Sequence, residues 1–259
     1  MTGAADEPLV AMKRITKAFG PAVVLSEVDF TIRAGEVHVL AGENGAGKST
    51  LIKILAGVHT DFDGVIEMGG VSVRPRSPRQ AAGLGIAVIH QELSLVPTLR
   101  VADNLFLGRW PTWGGFVRDG RQRQAALEML GRLGLDVDAT QLVGRLPIAT
   151  QQLIEIARAL GQDARVIVMD EPTSALNTPE VERLFELIAD LKRRGCGIVY
   201  ITHKMEEIER VADRITVLRD GKCVGSAPAA ELPVPKLIQW MVGREIDAQF
   251  PERVAEVGD

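Results

Sequence analysis

The first third of the chain alternates short apolar runs with turn residues. "LVAMKRI", "VVLSEVDFTIR", "EVHVLAG" and "GVIEMGGVSV" have the β-branched composition of strands. Two segments break that pattern. "GKSTLIKILAG" has helical spacing and ends on glycine, and "SPRQAAGLG" predicts a short helix. "IAVIHQ" is a short apolar strand that ends in polar residues. From about Val101 to Gly161 the pattern is helical with no convincing strand. Within it, "GRLPIATQQLIEIARAL" places Leu153, Ile156, Ala157 and Leu160 at i, i+3, i+4 and i+7, the spacing of an amphipathic helix. Pro147 stands just before that helix, where a capping serine is expected. Alternation resumes with "RVIVMD", a long helix, "GIVYIT", a short helix and the hairpin "RITVLRDGKCVG", whose turn pair is Asp220-Gly221. The long helix has Thr178 as its expected cap and Pro179 as its expected first residue. Val181, Leu184, Phe185, Ile188 and Leu191 form its apolar stripe, and Lys192, Arg193, Arg194 and Gly195 end it.

Strands alternating with helices imply an α/β core of mainly parallel sheet. The strand-rich N-terminal third adds an antiparallel β subdomain, and 101–161 an inserted α-helical subdomain. The expected domain runs from 8 to 243, followed by a polar tail or linker at 244–259. At 259 residues and 46% hydrophobic the chain can bury a sizeable core. The net charge of −4, with scattered basic residues, gives no basic stripe and argues against a nucleic-acid partner. No apolar run approaches 18 residues, and "MTGAADEPLV" lacks the pattern of a signal peptide. Any link to a membrane is therefore expected to pass through a partner. Cys196 and Cys223 read as free thiols of a reducing cytosol.

"GENGAGKST" changes the picture from fold to chemistry. Gly42, Gly47, Lys48 and Ser49 match G-x-x-x-x-G-K-[ST], with Glu43, Asn44, Gly45 and Ala46 between them and Thr50 behind. Glycines let the loop's N–H groups converge on an anion, and the following helix adds the positive end of its dipole. Lys48 is placed for the β- and γ-phosphates of ATP, and Ser49 for Mg²⁺. "RVIVMDEPTSAL" is a buried strand ending in two acids. Strands of a parallel sheet end at the ligand crevice, so Asp170 is expected at the metal and Glu171 at the γ-phosphate and its attacking water. His203 ends "GIVYIT" and can hydrogen-bond phosphate and water. Gln91 ends "IAVIH" in the same way and can join the metal. Phe19 is either a core residue or a stacking surface for adenine. Each of these side chains also has an ordinary structural reading, and the combination favours the chemical one.

In this order the motifs resemble those of the nucleotide-binding subunit of ABC transporters. "GENGAGKST" looks like Walker A, "VIVMDEPTSAL" like Walker B with the D-loop, Gln91 like the Q-loop and His203 like the switch histidine. "LPIATQQLIEIARAL" occupies the place of the signature motif. The wording "GENGAGKSTLIKILAGV", "HQELSLVP", "VADNLFLGR" and "MVGREI" is similar to carbohydrate importers of the ribose, xylose and fructose type. The resemblance implies a P-loop NTPase that pairs head-to-tail with a second ATP-binding domain, as a homodimer or within a paired chain. Pro147, Ile148, Ala149 and Thr150 would then face the partner's ATP. It also implies membrane permease subunits, an indirect sugar-binding protein, and a place on the cytoplasmic face of the membrane. The apolar "LSLVPTLRVADNLFL" fits either a partner groove or packing of the helical subdomain. A natural single-domain subunit and the first half of a two-domain chain both fit.

The sequence departs from the family at the signature. The serine expected after Leu146 is Pro147, which removes a hydroxyl and an N–H. The D-loop carries Asn177 where aspartate is common. A catalytically weakened partner in an asymmetric pair is therefore a second reading. A non-transport ABC ATPase is a third, although the coiled-coil insertion of repair relatives and the charged linker of translation relatives are both missing from this sequence. The sugar, and the role of Trp110 and Trp113, are not written in the chain.

Overall fold

The computed structural model describes residues 7–90, 93–108, 112–113, 116–117, 119–132, 134–161 and 164–243. The chain opens with β1 (Val10–Phe19) and β2 (Ala22–Ile32), then β3 (Val37–Ala41) and α1 (Lys48–Leu55). β4 (Asp63–Met68), β5 (Val71–Val73), α2 (Pro78–Gly83) and β6 (Ile86–Ile89) follow. The middle holds α3 (Val101–Leu105), β7 (Thr112–Trp113), β8 (Phe116–Val117), α4 (Asp119–Arg132) and α5 (Ile148–Leu160). The rest comprises β9 (Val166–Asp170), α6 (Thr178–Arg193), β10 (Gly197–Ile201), α7 (Met205–Val211), β11 (Arg214–Arg219), β12 (Lys222–Pro228) and α8 (Val234–Val242).

Two sheets organise these elements. One is antiparallel, in the order β2-β1-β4-β5. The other runs β12-β11-β3-β10-β9-β6, parallel except at its β12 edge. The parallel strands have apolar residues at successive positions because both of their faces are covered. Val37, Val39, Ile167, Met169, Ile198 and Tyr200 face one core, shared with α5, α6, α7 and α8. Leu40, Val166, Val168, Val199 and Ile201 face the other, shared with α1 and the antiparallel sheet.

The structure amends several expectations. "GVIEMGGVSV" is two strands, β4 and β5, turned at Gly69-Gly70, both in the left-handed region at φ 52° and 74°. The middle region is helical but also holds the small β7–β8 hairpin. The cap of α6 is Asn177, not Thr178, and Pro179 sits one residue past the first helical position. The Asn177 side chain accepts from the Glu180 N–H at 3.1 Å, and the Glu180 carboxylate accepts from the Asn177 N–H at 2.8 Å. This reciprocal pair needs a side chain at Asn177, which Thr178 cannot supply from inside the helix. α5 is not simply amphipathic. Its residues from Gln152 to Ala157 are all buried, because the sheet lies on one side and α3 and α4 lie on the other. The apolar "LSLVPTLRVADNLFL" divides: Leu95, Val101, Ala102 and Leu105 are buried in the core, whereas Leu93, Val96, Leu99 and Phe106 are half-buried and Pro97 and Leu107 are exposed. The buried Asn104 holds that stretch in shape, accepting from the Val96 N–H at 2.7 Å and donating to the Val96 carbonyl at 3.0 Å. No helix among the described residues is long and apolar enough to cross a membrane.

His38 on β3 lies between the two sheets. Its Nδ1 donates to the Thr31 carbonyl at 2.6 Å, which leaves Nε2 to pair with the Thr216 hydroxyl at 2.7 Å. Burial outweighs the Thr31 bond and lowers its pKa from 6.5 to about 3. Below pH 6.5 the unfolded chain therefore binds a proton that the folded chain refuses, and stability falls as pH drops toward 3. His38→Gln, which does not titrate, should flatten that slope when unfolding free energy is measured by urea titration from pH 7 to pH 4. An unchanged slope would contradict this account.

Candidate phosphate-binding site

Register brings the site together. Leu40 of β3 pairs with Ile201 of β10, Ile201 pairs with Asp170 of β9, and Ile89 of β6 pairs with Met169. The loops that leave these strands therefore emerge along one edge of the sheet, the ordinary ligand edge of a parallel sheet. They carry the glycine loop, His203, Glu171 and His90.

The glycine loop runs from β3 into α1. Gly42, Gly45 and Gly47 have φ of 144°, 85° and 102°, which L side chains rarely adopt. No side chain caps α1, and its opening N–H groups are left for an anion. The Lys48 ammonium is held over the loop by the carbonyls of Gly42, at 2.8 Å, and Glu43, at 2.9 Å. Burial lowers its pKa, against the pull of Glu171 and Asp170. A cleft of about 270 Å³ opens here, lined by residues 44–50 of the loop and helix, by Asp170, Glu171 and Ile201, and by Val24.

The two acids differ in setting. Asp170 closes β9, and burial followed by the charge of Glu171 raises its pKa, while His90, Lys48 and Lys53 oppose the rise. Glu171 takes the left-handed backbone region at φ 47°. For a residue with a side chain that costs about 1–3 kcal/mol. The turn is fixed by the Glu171 N–H donating to the Ile201 carbonyl at 3.0 Å. The conformation swings the carboxylate toward the neighbouring loop, where Glu171 Oε1 meets His203 Nδ1 at 2.9 Å. The His203 ring is 61% exposed and Glu171 24%, so the pair stands at the mouth of the cleft.

Ser49 and Asp170 line the same cleft and offer hard oxygens suited to a divalent cation. No cluster of three or more His, Cys, Asp or Glu that could hold a metal is found among the described residues.

Other expected residues stand apart. Phe19 is 45% exposed and does not line the cleft. Its ring meets His59 edge-on at 5.2 Å and lies 4.8 Å from the Lys17 ammonium, so core packing is the wrong reading for it. Gln91 lies outside the described residues, as do Trp110 and the side chain of Trp113. Pro147 caps α5 without a side-chain bond. Its carbonyl accepts from the Gln151 N–H at 3.0 Å, and the Gln151 side chain donates back to the Leu146 carbonyl at 2.8 Å. Ile148 is 58% exposed, Ala149 is buried and Thr150 is half-buried, and none of the four lines the cleft of this chain.

Some supporting residues were not signalled as such. The Asp220-Gly221 turn packs behind the glycine loop: Gly221 N–H donates to the Ala46 carbonyl at 3.2 Å, and its own carbonyl accepts from the Ser26 N–H at 2.8 Å. Gln152 of α5 is buried and donates to the Pro172 carbonyl, one residue past Glu171. Glu207 is a buried acid on α7, visible in the sequence only as a charge beside Ile208 on an apolar helix face.

Known proteins resemble this chain in sequence and in fold. The ABC transporter family model matches residues 25–174. The ribose import ATP-binding protein RbsA of Geobacillus kaustophilus (strain HTA426) is 48% identical over 97% of this chain and 51% of its own length. The ribose import ATP-binding protein RbsA of Chromobacterium violaceum is 51% identical over 96% of this chain and 50% of its own. A putative ribose/galactose/methyl galactoside import ATP-binding protein of Burkholderia lata is 49% identical over 94% and 48%. The chain thus spans about half the length of the curated relatives it matches. Among solved structures, the ADP conformation of an ATP-binding cassette of an ABC transporter superposes with a TM-score of 0.80 at 23% identity, over 92% of this chain and 100% of that one. A dimeric, post-hydrolysis ATP-binding cassette bound to ADP and Pi superposes with a TM-score of 0.73 at 25% identity, over 85% and 98%.

The support behind the glycine loop is testable. A Cβ on Gly221 would lie 2.3 Å from the Val24 carbonyl oxygen at a φ of +73°. Gly221→Ala should weaken binding of a fluorescent ATP analogue about tenfold or more, since displacement of the loop by even 1 Å misplaces its donors. Gly20→Ala, at φ +56° with nothing within 4 Å, bears only the backbone strain and should bind normally. Equal affinity in both variants would remove Gly221 from the site's support.

Proposed function

The chain belongs to the ABC transporter family, and from that premise we propose that it is an ATP-binding and ATP-hydrolysing subunit that powers sugar uptake through a membrane importer. The observation that carries this reading is the Glu171–His203 contact standing beside the glycine-loop cleft. Residues 42–50 cradle the phosphates, and Lys48 exchanges its two loop carbonyls for phosphate oxygens. Mg²⁺ held by Ser49 and Asp170 would neutralise phosphate charge, with Gln91 as a further ligand. Glu171 accepts a proton from the attacking water, whose oxygen bonds to the γ-phosphorus as the bond to the bridging oxygen breaks, releasing ADP and phosphate. His203 orients Glu171 through Nδ1 and leaves Nε2 for the γ-phosphate. Phe19, exposed at the end of β1, offers the adenine a face.

The sugar reading draws on the ribose and galactose import proteins that the chain resembles. So do its partners: a second ATP-binding domain, permease subunits and, through them, a sugar-binding protein. That scheme places residues 8–243 as one nucleotide-binding domain on the cytoplasmic face of the membrane, with 101–161 as its helical subdomain. Pairing is further supported by the dimeric form of a similar cassette.

One observation favours a weakened variant of the same function. At the opening of α5, Pro147 offers neither a hydroxyl donor nor an N–H, and Ile148 presents an apolar side chain. In a head-to-tail pair the deficit falls on the ATP held by the partner's Lys48, Asp170 and Glu171. A homodimer suffers it at both sites.

Glu171→Gln should lower steady-state ATP turnover by about 10²- to 10⁴-fold while ATP is still bound. Undiminished turnover would remove Glu171 as the base. Pro147→Ser should raise turnover about tenfold or more by restoring a donor to the transition state. Equal turnover in the two proteins retires the weakened reading. Uptake of labelled ribose by vesicles holding the permease tests the sugar class.

A further inference from the structure

Beyond the cleft, the described chain has one buried carboxylate tied to both loops that carry the hydrolytic pair. Glu207 sits on α7 and is 6% exposed. Its Oε1 accepts from the Thr173 hydroxyl at 2.5 Å. Its Oε2 accepts from the hydroxyls of Tyr200 and Thr202, each at 2.9 Å. The Lys204 ammonium is 3.1 Å from Oε1 and also donates to the Thr173 hydroxyl at 3.0 Å. The Lys204 N–H donates to the Thr202 hydroxyl at 3.2 Å. Both threonine hydroxyls thus donate a hydrogen bond to Glu207 and accept one from Lys204, which fixes their rotamers. Thr173, Tyr200 and Thr202 are all buried, so water does not compete for these bonds.

The covalent spacing gives the network its significance. Thr173 lies two residues past Glu171, and Thr202 immediately precedes His203. A single carboxylate therefore fixes the loop after β9 to the loop after β10, the two loops that carry Glu171 and His203. Burial by itself pushes the Glu207 carboxyl up. The donors Thr173, Tyr200, Lys204 and Thr202 together hold it below the usual carboxylate range, so it is charged at neutral pH. Burial, and then the Glu207 charge, pushes the Tyr200 hydroxyl up and keeps it a donor.

We propose that Glu207 is a positioning residue for hydrolysis, clamping Thr173 and Thr202 so that the Glu171 carboxylate and the His203 ring stay in contact. Thr173, Tyr200, Thr202 and Lys204, its polar partners among the described residues, do not line the cleft, so it acts on the pair's geometry, not on phosphate binding. The inference rests on the ATPase reading for its catalytic consequence. Its geometric content, the placement of His203, stands separately.

Glu207→Gln preserves the shape and removes the charge. In the intact chain it should lower kcat for ATP hydrolysis about 10- to 100-fold, the effect of misplacing a reacting group by about 1 Å. KM and the affinity for an ATP analogue should stay within about twofold of wild type, since the glycine loop is untouched. Thr173→Val and Thr202→Val each remove one arm, keep the charge, and should reproduce the kcat loss. Combined with Glu207→Gln they should add little further loss, as expected of members of one unit. They also serve if Glu207→Gln fails to fold. In all three variants the ¹⁵N resonances of the His203 imidazole should move from their wild-type positions, a readout that does not need hydrolysis. Wild-type kcat in both threonine variants, or equal loss of kcat and nucleotide affinity, overturns the proposal. A wild-type chain that binds ATP without hydrolysing it defeats the ATPase reading instead. In that case, unmoved His203 resonances overturn the positioning role, and moved ones support it.

Discussion

The site depends on three stretches of backbone meeting where no side chain fits. The Asp220-Gly221 turn enters between β2 and the glycine loop, bonded to Ala46 on one side and Ser26 on the other. Gly42 lies so close to Leu218 that a Cβ would stand 2.2 Å from its carbonyl oxygen. An anion cradle made of N–H groups has almost no side chains of its own to hold its shape. It must be shaped from outside, by neighbouring main chain, and that close approach demands glycine at the point of contact, Gly42 against Leu218 and Gly221 against Val24. The β11–β12 hairpin at the edge of the parallel sheet and β2 of the antiparallel sheet are thereby fixed to the same loop. The two sheets are joined through the site as well as through the core between them.

Electrostatics at this edge follow from that frame. Lys48, Asp170 and Glu171 are drawn together by strand register, in a place partly closed to water, and each perturbs its neighbours. The Lys48 ammonium is held by the loop carbonyls and the Glu171 carboxylate meets His203. The left-handed turn at Glu171 belongs to the same economy of space: it is the way a strand end can aim a carboxylate sideways at the adjacent loop.

Much of this was legible in the chain. Apolar runs bounded by glycine gave the parallel strands, because burial on both faces leaves no polar alternation to obscure them. Gly42, Gly47, Lys48 and Ser49 announced the cradle through a backbone requirement that few other functions impose. Asp170, Glu171 and His203 were readable as strand ends. What remained hidden was set by tertiary contact. The cap of α6 went to Asn177 and not Thr178 because the reciprocal bond with Glu180 decides between two acceptable residues. The apolar stretch after Gln91 was compatible with a partner or with the core, and only the fold shows that Leu95, Val101, Ala102 and Leu105 go to the core while Pro97 and Leu107 stay exposed. Glu207 was invisible because an acid on a short helix ordinarily faces water. Only the fold brings three hydroxyls and an ammonium to meet it.

α5 has an unusual division along its length. Its middle is enclosed on every side, while Pro147 and Ile148 at its opening are exposed and hold almost nothing of the fold. Changes in the enclosed part would be felt at once as lost stability, and lineages carrying them would be removed for failing to fold. Changes at the opening escape that filter. The helix is thus a fixed mount with an interchangeable tip, where substitutions can accumulate without the chain first having to re-solve how to fold.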